Sequence, residues 1–300
     1  MQEFKIVGKI DLAQLPKKGE AKVDTSAALR KYEQPLNEAV ERMADEINNE
    51  FGHIVDSQAK IAWLDEAYDY SNKERDKTQV ADCEAYFMRK EGKDINQPGV
   101  LEAWRKERES TIGVLNEKAI ALVLHRILGE DFLVVRTSDY DDYTSKVDNL
   151  IIDKKTGAVI CGFDYVLGEG NNSAGKEIKI QKIIDKGGAD IKYGLGIRNI
   201  SAGGEIHRQA LKNTPAFYLA MSKKDLADVL PDLDKAEPSI KELAIVKNMI
   251  VSLEQQLIDF YGPDKINNHS FEVKKLLTNV KAFTDSLNRI KDIVNRKIYE

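Results

Sequence analysis

Apolar residues recur at helical spacing near both ends of the chain and at strand spacing in its middle. From Thr25 to about Arg89 the segment is rich in Ala, Glu and Lys and helical in character. Leu36, Val40, Met43 and Ile47 recur there at steps of three and four and mark one buried face. Pro35 suits a first helical turn. The turn residues Pro98 and Gly99 break the pattern at GKDINQPG (92–99), and helices are predicted over about 100–110 and through NEKAIALVLHRIL (116–128). After Gly129 the texture changes. FLVVRTS (132–138), VDNLIID (147–153) and AVICGFDYV (158–166) are β-branched and aromatic runs of strand length. KKTG (154–157) separates the last two, with a glycine placed to accept positive φ, so these strands form a hairpin.

A helix follows the glycine-rich loop GEGNNSAG (168–175) and ends at Gly187–Gly188. Strands are predicted at 191–197 and 215–222, then a short helix capped by Ser222. From Ser239 onward the pattern is a helical hairpin. Leu243, Val246, Ile250, Leu253 and Leu257 form one stripe; Val273, Leu276, Leu277, Val280, Phe283, Leu287, Ile290 and Val294 form the other. Residues 1–24 read as an arm in which FKIVGKIDL makes one short strand. The division is an N-terminal arm and helical region (1–99), an α/β core (100–236) and a C-terminal helical hairpin (237–300).

Composition narrows the class. Hydrophobic content of 42% and charged content of 32% fit a soluble globular protein. No apolar run reaches the 18 residues that a membrane-spanning helix needs. The N-terminus lacks a secretory apolar core, so the cytoplasm is the expected location. Cys83 and Cys161 are too few for a disulfide framework and lack metal-site spacing; Cys161 reads as a small buried residue. His53, His125, His207 and His269 form no pair with ligand spacing, which argues against zinc. A net charge of −5 argues against a protein that coats nucleic acid, although local patches decide binding.

The chemistry lies in the order of acids. Glu117 falls early in one helix, Asp148 opens a strand, and Asp164 sits near the end of the strand paired with it. A tight turn between those strands brings Asp148 and Asp164, sixteen residues apart, to the same sheet edge. Two carboxylates there offer oxygen ligands to a divalent cation. The stretch KVDNLIIDKKTGAVICGFDYV (146–166) resembles the metal-binding hairpin of the PD-(D/E)XK, or restriction-endonuclease-like, nuclease superfamily. The resemblance covers a little over one third of the chain. It implies a mixed-sheet α/β core, Asp148 and Asp164 as the two motif acids, and Glu117 as the glutamate that many members carry on the preceding helix. It also implies Mg²⁺ or Mn²⁺ as cofactor and nucleic acid, DNA or RNA, as partner.

The chain departs from the pattern at Asp164-Tyr165-Val166, where the family carries a lysine in the third place. Some members take that lysine from the next helix, which here holds Lys176, Lys179 and Lys182. Lys182 ranks first and Lys179 second, with a solvent-facing lysine as the alternative for each. Asp139, Asp141 and Asp142 crowd what reads as an acidic loop, one of them available as a further metal contact. His125 lies two turns after Glu117 and is a packed histidine or one facing the site. The expected function is metal-dependent phosphodiester hydrolysis. The alternatives are a nuclease-like scaffold that binds nucleic acid or protein without cutting, which Val166 favours, and an unrelated, doubly wound parallel α/β protein.

Overall fold

The computed structural model describes residues 29–64, 72–167, 173–200, 204–262, 265 and 270–299. The strand expected in FKIVGKIDL, and residues 168–172 of the glycine-rich loop, lie outside them. The first helices are α1 (Glu33–Phe51), α2 (Lys73–Lys90), α3 (Val100–Glu109) and α4 (Ile112–Leu128). They are followed by β1 (Phe132–Arg136), α5 (Asp139–Ser145), β2 (Asn149–Asp153), β3 (Val159–Leu167) and α6 (Ser173–Asp185). Then come β4 (Ala189–Arg198), β5 (Glu205–Thr214), β6 (Ala216–Met221) and α7 (Lys223–Val229). The chain closes with α8 (Ile240–Tyr261) and α9 (Phe271–Tyr299).

The protein is mixed α/β. One four-stranded sheet has the order β1-β2-β3-β6; β4 and β5 make a separate antiparallel ribbon. β1 pairs antiparallel with β2, and β2 antiparallel with β3, whereas β3 and β6 run parallel. The predicted hairpin is therefore present, and a doubly wound parallel sheet is excluded. Every residue of β1 and β2 is buried, because helices cover the sheet. α4 packs on β1 and β3, and α8 and α9 pack on the sheet and on each other. α4 is apolar almost all round, with Leu115, Ala119, Ile120, Val123 and Ile127 at 1% exposure or less, as a central helix must be. One continuous apolar core draws on α1, α4, the sheet and the C-terminal hairpin. Among the described residues no helix is long and apolar enough to cross a membrane.

Three sequence expectations need correction. The segment 25–89 is not helical throughout: between α1 and α2 the chain forms a small loop closed by a Val55–Ile61 bridge. Its residue Lys60 pairs with Arg136 at the edge of β1. A strand, β5, was not expected. Its sequence, EIHRQALKNT, is polar, and it is held by pairing with β4 more than by burial. The acidic stretch 139–145 is a helix, not a loop. Ser138 caps it by accepting the Asp141 amide proton at 3.0 Å, and acids in the first turn complement the helix dipole. Ser138 with Asp141 three residues on is the signal that marks this start. In the C-terminal hairpin the stripes are buried as expected except Leu257, which is half-buried, and Leu277, which is exposed.

Asp141 ties α5 to the β4–β5 ribbon. Its fully buried carboxylate accepts the amide protons of Lys192 at 2.7 Å and Tyr193 at 2.9 Å, and the Ser138 hydroxyl proton at 2.8 Å. Burial pushes this carboxyl up, and those hydrogen bonds pull against it. Asp141→Ala strands two backbone donors but removes a charge that burial disfavours. The expected net loss is about 2 kcal/mol in urea unfolding, with a smaller loss for Asp141→Asn.

Candidate active site

The expected acids arrive from three elements. Asp148 immediately precedes β2, where its amide donates to Phe163 O at 2.6 Å. The β2–β3 register pairs Asn149 with Phe163, so one step further sets Asp148 opposite Asp164. The link is closed by the Tyr165 amide, which donates to Asp148 Oδ2 at 2.7 Å. Asp164 itself is buried at 5% exposure. Glu117 comes from the second turn of α4, on the helix that covers this end of the sheet.

Electrostatics show which acids act on one another. Burial pushes Asp148 well above the usual carboxylate range, and the neighbouring charges of Glu117, Asp142 and Asp164 push it further. Burial also raises Glu117; Arg136 opposes the shift and Asp142 adds to it. The charges of Glu117, Asp142 and Asp164 therefore bear on Asp148 at one end of the β2–β3 hairpin, and that of Asp142 bears on Glu117 as well. The three acids of α5 have separate fates. Asp139 pairs with Lys60 at 2.5 Å, Asp141 is committed to the β4 backbone, and Asp142 is the one that presses on Glu117 and Asp148. Among the described residues, no three carboxylate, imidazole or thiol groups converge closely enough to hold a metal by themselves.

Glu117 and Asp142 line a cleft of about 620 Å³ between the N-terminal helices and the sheet edge. Its walls carry Lys60, Arg105, Arg108, Lys118 and Arg136, with Trp63, Trp104 and Tyr143 between them. Most of these cations have a partner. Arg105 makes a two-pronged contact to Glu84 at 2.6 and 2.9 Å, and Lys118 pairs with Glu109 at 2.8 Å. Arg108 donates to the Tyr143 hydroxyl at 2.6 Å and lies over the Phe87, Trp104 and Tyr143 rings. Comparison with known protein families, curated proteins and solved structures finds no match.

The expected cations lie on α6. Lys179 and Lys182 are exposed on α6, which packs against β6 and α9. The largest charge effects on Asp148 and Glu117 come from other residues. The Lys176 side chain lies outside the described residues. Val166 shares the face of β3 that carries Asp164 and is 5% exposed. His125 turns away from the acids, its Nε2 lying 3.0 Å from Glu46. Cys161 is fully buried, as expected. Lys60 and Arg136 were not in the expected site, and Asp142 was expected only as one of three acids that could add a metal contact. The proximity of Lys60 and Arg136 depends on the bridge between them, which joins residues distant in sequence.

Proposed function

We propose that the chain is a metal-dependent nuclease with a restriction-endonuclease-like core, hydrolysing phosphodiester bonds of DNA or RNA in the cytoplasm. The observation that carries this reading is the placement of Asp148 opposite Asp164 across the hairpin, with the charges of Glu117 and Asp142 bearing on Asp148. The mixed sheet, antiparallel through β3 and parallel at β6, also supports it. Mutually repelling carboxylates are costly unless a cation joins them. Mg²⁺ suits a site with two such ligands, since it binds through one or two carboxylates, with water and phosphate oxygens completing the shell. Mn²⁺, another cation suited to oxygen donors, fits the same carboxylates. Asp148 and Asp164 are the ligands in this reading, with Glu117 beside them.

A cation held there supplies Lewis-acid polarisation of the phosphate and a more acidic bound water. Glu117 takes the proton from the attacking water. The water oxygen bonds to phosphorus, the bond from phosphorus to the leaving oxygen breaks, and the proton passes to that oxygen. A carboxyl raised by burial is better matched to this proton transfer near neutral pH than an ordinary one.

The test is cleavage of single- and double-stranded DNA and RNA with Mg²⁺, Mn²⁺ or chelator. Wild type is expected to cut only with metal, and Asp164→Asn to lose about 10²–10³-fold in rate. No cutting under any condition, or a full rate for Asp164→Asn, overturns the reading. Thermal stability gives a separate readout. Mn²⁺ at about 100 times its Kd should stabilise the fold by about 2.7 kcal/mol, since it binds only the folded state. One observation favours a second reading, a scaffold that binds without cutting: Val166 puts buried, apolar surface where the resembled motif has lysine. Metal stabilisation without cleavage selects it.

A further inference from the structure

Phosphodiester hydrolysis builds negative charge on the phosphate oxygens, and a positive group aimed at them lowers the barrier. Val166 cannot supply one, and the exposed Lys179 and Lys182 stand on a helix that packs toward β6 and α9. A different cation is already in place. Arg136 ends β1, and the β1–β2 register sets it beside Asn149, next in sequence to Asp148. The following residue, Thr137, donates its amide proton to Asp148 O at 2.8 Å, locking the two segments together. The Arg136 residue is 4% exposed, and its Nη2 lies 3.5 Å from Glu117 Oε2. Among opposite charges acting on Glu117, that of Arg136 is the largest.

We propose that Arg136 is the phosphate-binding cation of this site, standing in for the missing motif lysine; the proposal rests on the nuclease reading above. Among the described residues its guanidinium makes two side-chain hydrogen bonds, both long: 3.3 Å to Gln58 O and 3.5 Å to Glu117. A guanidinium carries five N–H donors in a rigid fork, so capacity remains for a non-bridging phosphate oxygen. The other cleft cations are more committed, Arg105 to Glu84 and Lys60 to Asp139 at short range. The backbone also preorganises Arg136. Its amide donates to Ala59 O at 2.9 Å and its carbonyl accepts from the Ile61 amide at 2.9 Å. The loop carrying Lys60 therefore clamps the end of β1 and fixes where the guanidinium begins. Lys60 stands beside it and holds Asp139, keeping that carboxylate from competing with phosphate for Arg136.

The experiment compares wild type, Arg136→Gln, Arg136→Lys and the double variant Lys179→Ala/Lys182→Ala. It reads cleavage of a labelled oligonucleotide duplex and its single strand with Mn²⁺, and binding of both in Ca²⁺ and in chelator over a salt series. Arg136→Gln is expected to cut about 10²–10³-fold more slowly. Its plot of log affinity against log salt should be shallower by about 0.9 for duplex or 0.7 for single strand, the signature of one lost phosphate contact. The double lysine variant should stay near wild type in both. Arg136→Lys keeps the charge but loses the fork, so a fall of about tenfold in rate with the salt slope retained is expected. Should Arg136→Gln fail to fold, Arg136→Met, of similar length and uncharged, takes its place, and a full wild-type rate for it overturns the proposal. An unchanged salt slope for Arg136→Gln, or transfer of the loss to the lysine variant, also overturns it. If wild type cuts nothing while Arg136→Gln still loses the contact, the nuclease reading fails and the phosphate site stands.

Discussion

Asp148→Asn is expected to cut about 10³-fold more slowly than wild type and yet to melt at a higher temperature at neutral pH without metal. On the proposed nuclease reading, the rate loss follows from removing a charged metal ligand. The gain in stability follows from the crowding of acids. Asp148 is raised well above the usual carboxylate range, first by burial and then by Glu117, Asp142 and Asp164. A carboxyl raised in the folded state binds its proton more tightly folded than unfolded. Its contribution to stability is therefore present below the unfolded value, about 3.9, and is lost as pH rises through the folded value. Asparagine stays neutral throughout and still accepts the Tyr165 amide proton through its side-chain oxygen. The variant should therefore match wild type near pH 4 and exceed it increasingly toward pH 8. A gain on the order of 1 kcal/mol corresponds to about 2–4 °C in Tm. Mn²⁺ should reverse the order, since wild type gains from binding and the variant does not. Melting curves across pH, with and without Mn²⁺, check all of this. A variant less stable than wild type at pH 8 would show that the acids do not repel.

The hairpin was legible because two physical signals coincide there. Ile151, Ile152 and Ile160 mark buried strands, and Gly157 marks the turn between them. Once the turn is placed, the pairing of Asp148 with Asp164 follows from counting. The C-terminal hairpin was legible for the same kind of reason, since its stripes persist over several turns of each helix. The residues that were missed depend on contacts distant in sequence. Lys60 reaches Asp139 across 79 positions, and Arg136 meets a loop that lies before α2. Asp139, Asp141 and Asp142 are alike as letters. Only the turn of α5 gives one to Lys60, one to the β4 backbone and one to the acid cluster. β5 escaped because a paired ribbon with one wet face tolerates Arg, Gln, Lys and Asn at positions where a strand in the main sheet carries Val and Ile.

Gly157→Ala is expected to have the opposite profile to Asp148→Asn, with a large loss of stability and no loss of rate per folded molecule. Gly157 holds φ at +71°, where an L-residue pays about 1–2 kcal/mol. Its carbonyl accepts the Ile197 amide proton at 3.0 Å, the contact that docks the β2–β3 turn on β4. A Cβ added there would lie 1.9 Å from Ile197 O, a backbone atom that cannot rotate aside. The turn must therefore draw back from β4 and give up that hydrogen bond, leaving a buried donor that costs about 1–3 kcal/mol. Together these effects give an expected loss of about 2–5 kcal/mol in urea unfolding. The turn lies at the end of the hairpin away from Asp148 and Asp164, and Arg136, Glu117 and Asp142 do not touch it. Activity corrected for the folded fraction should therefore stay at the wild-type level. A variant that unfolds as easily as wild type would refute the contact between the turn and β4. One that stays folded but stops cutting would show that the register at the acid pair depends on the turn more than its two flanking strands imply.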